Sequence, residues 1–320
     1  MKKLATALLV AICVVAACPS SQMAFAAAPM VKTQAPGFYR LMLGDYEVTV
    51  LSDGTHPLPA LELLRGDASE IADALHRGFL REQVDTSHNG FLVNTGSKLV
   101  LIDPGAGTML GPSTGALIGN LRAAGYRPEQ IDEICISHMH TDHVGGLVDN
   151  GRAVYPNATV RINKRDTDYW LSESNMRAAA PESRRFFTAA SAAVKPYIEA
   201  GRLKVFEGGT ELVPGVRAEP AYGHTPGHSM FVIESKGQKL LLWGDLVHVA
   251  AVQFDDPSVT IGYDVDAAAA AREHLRVMKD AATNGYLVAG AHLPFPGIGH
   301  VRASGSTGFT FVPLNYSALK

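Results

Sequence analysis

A layered α/β fold is the class this sequence predicts, and three observations predict it. Short apolar runs of strand length recur between residues 38 and 291, helical patterns alternate with them, and four of the runs end directly in His or Asp. In layered α/β folds functional residues collect where strand ends open into loops, so these four ends are expected to converge on one edge of a sheet pair.

The elements follow in order. Phe38 to Leu43 and Tyr46 to Leu51 read as strands split by Gly44 and Asp45, a hairpin. Leu99 to Ile102 is a buried strand entering the turn Asp103-Pro104-Gly105. Leu117, Leu121 and Ala124 share one face of a helix that Gly125 stops. Ile131 to Ser137 is the next buried strand, and it runs into His138-Met139-His140-Thr141-Asp142-His143. Lys164 to Gly201 is longer than a simple connection, rich in aromatics and helical in pattern, which suits a lid over a site. Val216 to Tyr222 alternates as a strand and meets His224, Leu240 to Trp243 meets Asp245, and Tyr286 to Ala291 meets His292. Between Asp264 and Thr283 an Ala-rich helix is expected to cover a sheet, with Leu275 and Met278 inward and Arg272, Glu273, Arg276 and Lys279 outward.

Composition narrows the class. The 320 residues are 47% hydrophobic and 18% charged, which suits a sizeable core and excludes a disordered or fibrous chain. Net charge is −3, so no basic field exists to collect nucleic acid. Cys13, Cys18 and Cys135 are too few for a disulfide framework. Twelve histidines are left unexplained by composition alone.

Residues 1–26 read as a signal peptide: Lys2 and Lys3, an apolar run from Leu4 to Ala17, then Ala24 and Ala26 before the cut. The run is short for a membrane span, so a periplasmic or secreted protein is expected. A lipoprotein processed at Cys18 is the minority reading, because Val15 to Cys18 resembles a lipobox. Cleavage after Ala26 leaves 26 basic against 31 acidic side chains, net −5, and Cys135 as the only thiol. Residues 27–320 contain no linker, repeat or charge block and read as one domain carrying the 164–201 insertion.

The His-rich segment carries the chemistry. His138 and His140 alternate with Met139, so their imidazoles point the same way, while Asp142 and His143 follow after the chain turns. Three histidines and a carboxylate in six residues are more ligands than one ion takes from one loop, which suggests a pair of metals. A polar surface loop is the bland alternative, but turn chemistry does not ask for His there. A structural zinc site is disfavoured because Cys135 is the only thiol nearby.

Residues 138–143 match the His-x-His-x-Asp-His signature, and with Asp103, Gly223 to His228, Gly244-Asp245 and His292 the chain resembles the metallo-β-lactamase superfamily. Pro36 to Gly54, Gln253 to Val259 and Phe295 to Arg302 look like stretches of the methyl parathion hydrolases within it. The resemblance implies a four-layer αββα sandwich. It places His138, His140 and His224 on one metal, Asp142, His143 and His292 on a second, and Asp245 between them. It puts Asp103 behind the site as a support, where Pro104 departs from the usual following residue and stiffens the turn. The cofactors implied are two divalent ions, zinc first, with Mn, Co or Fe also compatible with His and Asp donors.

Such a pair shares and ionises a water, so Asp142 and Asp245 are the catalytic candidates around a bridging hydroxide. Activated neutral esters are the easiest substrates for it, because an aryloxide leaves without protonation. The resemblance assigns Trp170 and Phe187 to an apolar substrate pocket, with Leu110 where those enzymes carry an aromatic. The leading expectation is therefore a hydrolase of small apolar esters resembling methyl parathion hydrolase and acting on organophosphate triesters or aryl esters. A lactonase on the same site is the alternative, and a non-catalytic metal-binding protein ranks lower. No nucleic-acid partner or membrane span is expected, and a homodimer through apolar surface near the N-terminal strands is among the expectations. Of the other histidines, His248 is expected to face the cavity and His228 and His300 to have loop or supporting roles. His56, His76, His88 and His274 read as surface or turn residues.

Overall fold

The computed structural model describes residues 28–319; the predicted signal peptide, its cleavage site, Cys13 and Cys18 lie outside them. Fourteen strands form two seven-stranded sheets, and within each sheet the strands lie side by side in chain order. The first sheet contains β1 (Phe38–Leu43), β2 (Tyr46–Pro59), β3 (Gln83–Asn94), β4 (Leu99–Ile102), β5 (Glu133–Cys135), β6 (Thr159–Asn163) and β7 (Leu203–Phe206). The second contains β8 (Glu211–Val213), β9 (Val216–Pro220), β10 (Ser229–Ser235), β11 (Gln238–Leu242), β12 (Leu287–Ala289), β13 (Ile298–Ser304) and β14 (Gly308–Pro313). Each sheet starts with antiparallel hairpins; β4 to β7 then pair in parallel, as do β11 and β12.

The period-2 pattern of the strands separates the layers. Phe91 and Val93, Val100 and Ile102, Phe231 and Ile233, and Leu240 and Leu242 all enter one apolar cluster between the sheets. Their neighbours point the other way: Leu92 and Leu101 pack outward with helices, and so do Met230, Val232 and Leu241 on the second sheet. Apolar residues on both faces explain why these runs read as continuous rather than alternating.

Six helices matter here: α1 (Ala68–Arg77), α2 (Leu117–Ala123), α3 (Lys164–Trp170), α4 (Glu173–Ala178), α5 (Arg184–Glu199) and α6 (Ala267–Asn284). Leu117 and Leu121 of α2 with Phe187, Ala190, Val194 and Tyr197 of α5 cover the first sheet. Val277, Met278 and Ala281 of α6 cover the second, completing the αββα order. The register of α6 differs from expectation at one place. Leu275 is 50% exposed and His274 only 2%, because the buried stripe runs Ala270, His274, Val277, Met278, Ala281 and leaves Leu275 about 100° round the helix. The predicted strands at 131–137, 216–222 and 286–291 are trimmed to β5, β9 and β12, since their last residues leave the ladder to build the loops described next.

Candidate metal centre

Five loops meet at one edge of the sandwich, following β4, β5, β9, β11 and β12, and they bring Asp103, the 138–143 segment, His224, Asp245 and His292 together. The parallel pairings of β4 with β5 and β11 with β12 direct these ends the same way. Gly244, at φ +57°, lets the chain turn here; a Cβ on it would stand 2.7 Å from His228 Nε2.

Two ligand clusters result. His138, His140, His224 and Asp245 form one, and Asp142, His143, His292 and Asp245 the other, with the donor atoms of each within 4.8 Å of one another. In the first, His140 Nδ1 lies 3.1 Å from His138 Nε2 and 3.0 Å from His224 Nε2, and Asp245 Oδ2 is 3.4 Å from His224 Nε2. In the second, His143 Nε2 is 3.0 Å from Asp245 Oδ1 and 3.2 Å from Asp142 Oδ2, which is 3.3 Å from His292 Nε2. Asp245 Oδ2 also lies 3.1 Å from His292 Nε2, so this oxygen stands between the two clusters while Oδ1 faces His143.

These donors fit metal ions. Bonds of about 2.0–2.1 Å in a tetrahedron put neighbouring donors about 3.3 Å apart, the spacing seen here. His143 Nε2 and Asp245 Oδ1 are buried and have no hydrogen-bond partner among the described residues. The outward nitrogens, by contrast, are held. His224 Nδ1 donates to Asp264 Oδ1 at 2.7 Å, His292 Nδ1 to the Ser87 carbonyl at 2.9 Å, His143 Nδ1 to Asp103 Oδ2 at 2.9 Å and His138 Nδ1 to Ser137 Oγ at 3.1 Å. Each bond assigns the tautomer and leaves the Nε2 lone pair facing the centre.

Asp103 sits at φ +53°, an uncommon conformation for a side-chain-bearing residue, and there it accepts from Ser137 N–H at 2.8 Å and Ser137 Oγ–H at 2.6 Å as well as from His143. Burial lowers the His138 and His140 pKa values well below the usual imidazole value, aided by neighbouring imidazoles. Burial pushes Asp245 upward, but His143, His292 and His138 outweigh it and hold the carboxyl well below the usual range. Burial works against the charged form of His143, His224 and His292 as well, but the carboxylates of Asp245, Asp142, Asp103 and Asp264 outweigh it and raise His143 well above the usual value, His224 to about 9 and His292 to about 10. Without a cation these carboxylates therefore hold protons on three of the imidazoles, and a bound cation would displace them.

Several residues here carried no sequence signal. Asp264 holds His224, and buried Asp166, its pKa raised to about 6 by burial, accepts from Met139 N–H and Gly227 N–H and so ties two ligand loops together. His88 is buried, not a surface residue, with Nδ1 3.3 Å from Asp142 Oδ2, because it lies on the inward face of β3. His274 is buried in α6, its Nδ1 donating to the Pro257 carbonyl at 3.0 Å, and half-buried His56 faces the cavity. His76 is exposed. His228 donates from Nδ1 to the Ala221 carbonyl and accepts Asp245 N–H at Nε2, and His300 donates to the Gly285 carbonyl. His248 lines the cavity, stacked on His292, with Nε2 3.2 Å from Asp245 Oδ2.

Above the clusters lies a cavity of about 640 Å³. Leu58, Met109, Leu110, Phe186, Ala189 and Tyr263 form much of its wall, and Asp142, Asp245 and His292 reach its floor. Leu110 is on that wall. Trp170 and Phe187 are not on the wall: they are 4% and 2% exposed and belong to the core under the helices. The helical period is the reason. Phe187, Ala190, Val194 and Tyr197 of α5 face the sheet, whereas Arg185, Phe186, Thr188, Ala189 and Ala192 face the cavity. Trp170 supports the site from behind, its ring 5.1 Å from that of His140.

Comparison with known proteins agrees with this geometry. Residues 84–292 match the family model described as the Metallo-beta-lactamase superfamily. N-acyl homoserine lactonases of Bacillus cereus and of a Bacillus species are 28% and 29% identical over 162 and 167 residues, about half of this chain and 56% and 58% of theirs. The chain therefore spans a little over half the length of these curated relatives. Among solved structures, hydrolase AbOPH of the beta lactamase superfamily is 34% identical with a TM-score of 0.85, over 89% of this chain and 100% of that one. AidC, a dizinc quorum-quenching lactonase in complex with a product, N-hexanoyl-L-homoserine, is 29% identical with a TM-score of 0.82, over 88% and 99%.

Proposed function

Because the chain belongs to the metallo-β-lactamase superfamily, we propose that it is a hydrolase with two metal ions that cleaves neutral apolar carboxylic esters, lactones foremost. The observation that carries this reading is the pair of ligand clusters sharing Asp245 at the floor of a largely apolar cavity. His138, His140, His224 and Asp245 would hold one ion, and Asp142, His143, His292 and Asp245 the other. Divalent ions bound there supply Lewis acidity, which lowers the pKa of water toward about 7 and polarises the ester oxygen. Zinc is the proposed metal, in keeping with AidC, although the same donors serve Mn, Co and Fe.

The chain's own residues do the rest. Asp103, Asp264, Ser87 and Ser137 fix the imidazoles, so no ligand has to reorganise during the reaction. Leu58, Met109, Leu110 and Phe186 offer apolar contact to the substrate and keep bulk water from the floor. Asp142 stands at that floor and is the side chain placed to take or return a proton, at the oxygen it does not turn to the second cluster.

Lactones rank first because the aromatic wall expected for nitrophenyl phosphotriesters is reduced: Leu110 lacks a ring and Trp170 and Phe187 lie in the core. Phosphotriester hydrolysis is the second reading, favoured by Phe186 and Tyr263, whose rings meet 6.1 Å apart beside the cavity. Export of the protein remains part of the proposal and rests on residues 1–26 alone. The test is metal analysis of protein purified without added metal, followed by turnover of an N-acyl lactone beside a nitrophenyl dialkyl phosphate. Two metals per chain with faster lactone opening is expected. Faster phosphotriester turnover would reverse the ranking, one metal with no turnover would leave a non-catalytic metal-binding protein, and no metal with no turnover would overturn the proposal.

A further inference from the structure

The cavity above the ligand clusters is larger than the ring it is proposed to open. Taking for each heavy atom the share of one water in the liquid, about 30 Å³, its volume of about 640 Å³ has room for roughly 20 heavy atoms. A lactone ring and its carbonyl oxygen take up only about a third of that. Much of what lines the remainder is hydrocarbon. Helix α5 turns Phe186, Ala189 and Ala192 to the cavity, and Leu58, Met109 and Leu110 line it as well. The α5 positions recur every third residue, so they form one row about 9 Å long on the helix. The row begins beside the first cluster, because the Phe186 ring is 5.3 Å from that of His140.

The two faces of α5 are filled differently. Towards the sheet, Phe187, Val194 and Tyr197 occupy the space they face; towards the cavity, the two alanines beyond Phe186 leave theirs open. The polar residues beside the row make no demand for a polar ligand group there. Thr188 donates its hydroxyl to the Arg184 carbonyl, and Arg185 lays its guanidinium over the Phe186 ring. His56, Thr86 and His88 come instead from β2 and β3. Open space bordered by apolar side chains favours an apolar occupant, whose burial releases water from both surfaces. A flexible chain suits it better than a rigid aromatic group. Beyond Phe186 the row has no ring to stack on, and Met109 can repack along a chain.

Resting on the reading of the chain as a lactone and ester hydrolase, we propose that the row Phe186, Ala189, Ala192 seats an unbranched apolar acyl arm of the substrate, and that the two alanines set how long an arm is preferred. For N-acyl homoserine lactones with butanoyl, hexanoyl, octanoyl and decanoyl arms, kcat/KM should rise about threefold per added methylene until the row is filled, at least tenfold over the series. Ala189→Phe and Ala192→Phe fill the row, so each should cut decanoyl kcat/KM at least tenfold and leave butanoyl kcat/KM within about twofold. Butanoyl turnover also shows that each variant is folded. Calorimetric titration with octanamide, which has no ester to cleave, should give binding that Ala189→Phe weakens at least tenfold. A flat profile across the series, or an unchanged profile in both variants, overturns the inference and leaves the hydrolase reading in place. If no lactone turns over, that reading falls and octanamide alone decides the arm site: binding weakened by Ala189→Phe upholds it, and no binding, or binding unchanged by the substitution, overturns it.

Discussion

Asp264 Oδ1 accepts the Nδ1–H of His224 at 2.7 Å, while its Oδ2 accepts Ile261 N–H at 2.9 Å, so one carboxylate pins a ligand imidazole to the backbone that precedes α6. Burial pushes this carboxyl upward, but the His224 hydrogen bond and charge outweigh it and hold the pKa near about 2. Asp264→Asn keeps the shape and removes the charge. Metal affinity should fall by about 10-fold or more, mainly at the cluster of His138, His140 and His224. Chelator-competition titration measures it, and an unchanged affinity would show that His224 needs no such support.

Asp245 turns Oδ1 to His143 and Oδ2 to both His224 and His292, so its two oxygens serve both clusters. Asp245→Asn leaves a single oxygen acceptor, so metal content should fall from two per chain toward one and kcat by about 100-fold or more. Elemental analysis with single-substrate kinetics checks both numbers on one preparation.

Phe186 and Phe187 are neighbours with opposite duties. Phe187→Ala opens a cavity in the core and should cost about 3–5 kcal/mol of stability. Phe186→Ala removes wall from the substrate cavity and should raise KM with little effect on unfolding. Urea denaturation and steady-state kinetics on both variants separate the two effects, and equal stability losses would contradict the orientation of α5.

His274 makes stability depend on pH away from the metals. Burial holds its pKa down at about 4, partly offset by Asp264 and the Pro257 hydrogen bond. The unfolded chain takes up that proton near about pH 6.5, and the folded chain only near pH 4. Between these values the unfolded state binds more protons, so this contribution is complete above pH 6.5 and is lost as the pH falls toward 4, by at most roughly 3 kcal/mol. His274→Gln should flatten the decline between pH 7 and pH 5 in chelator-treated samples. An identical slope in both proteins would remove His274 as its source.

The residues of the two clusters were legible because their information is local. Each follows a strand-length apolar run, and the spacing His138, His140, Asp142, His143 has no explanation in turn chemistry. The layered class was legible for a similar reason, since apolar runs buried on both faces are continuous in sequence. Gln83–Asn94 was not read as a strand, because its polar first half, which carries Thr86 and His88, lines the cavity instead of a core.

By itself, then, the sequence determined which His and Asp residues gather into the two clusters, at which strand ends they lie, and that the strands belong to a layered α/β protein. Tertiary structure alone decided what stands behind and around them. Asp264 reaches His224 across 40 positions and Ser87 reaches His292 across 205. Phe186, not Phe187, faces the cavity, because the roll of α5 about its axis is set by the sheet it packs on and not by its composition. Support, orientation and exposure are properties of contacts between distant segments, and no local pattern records them.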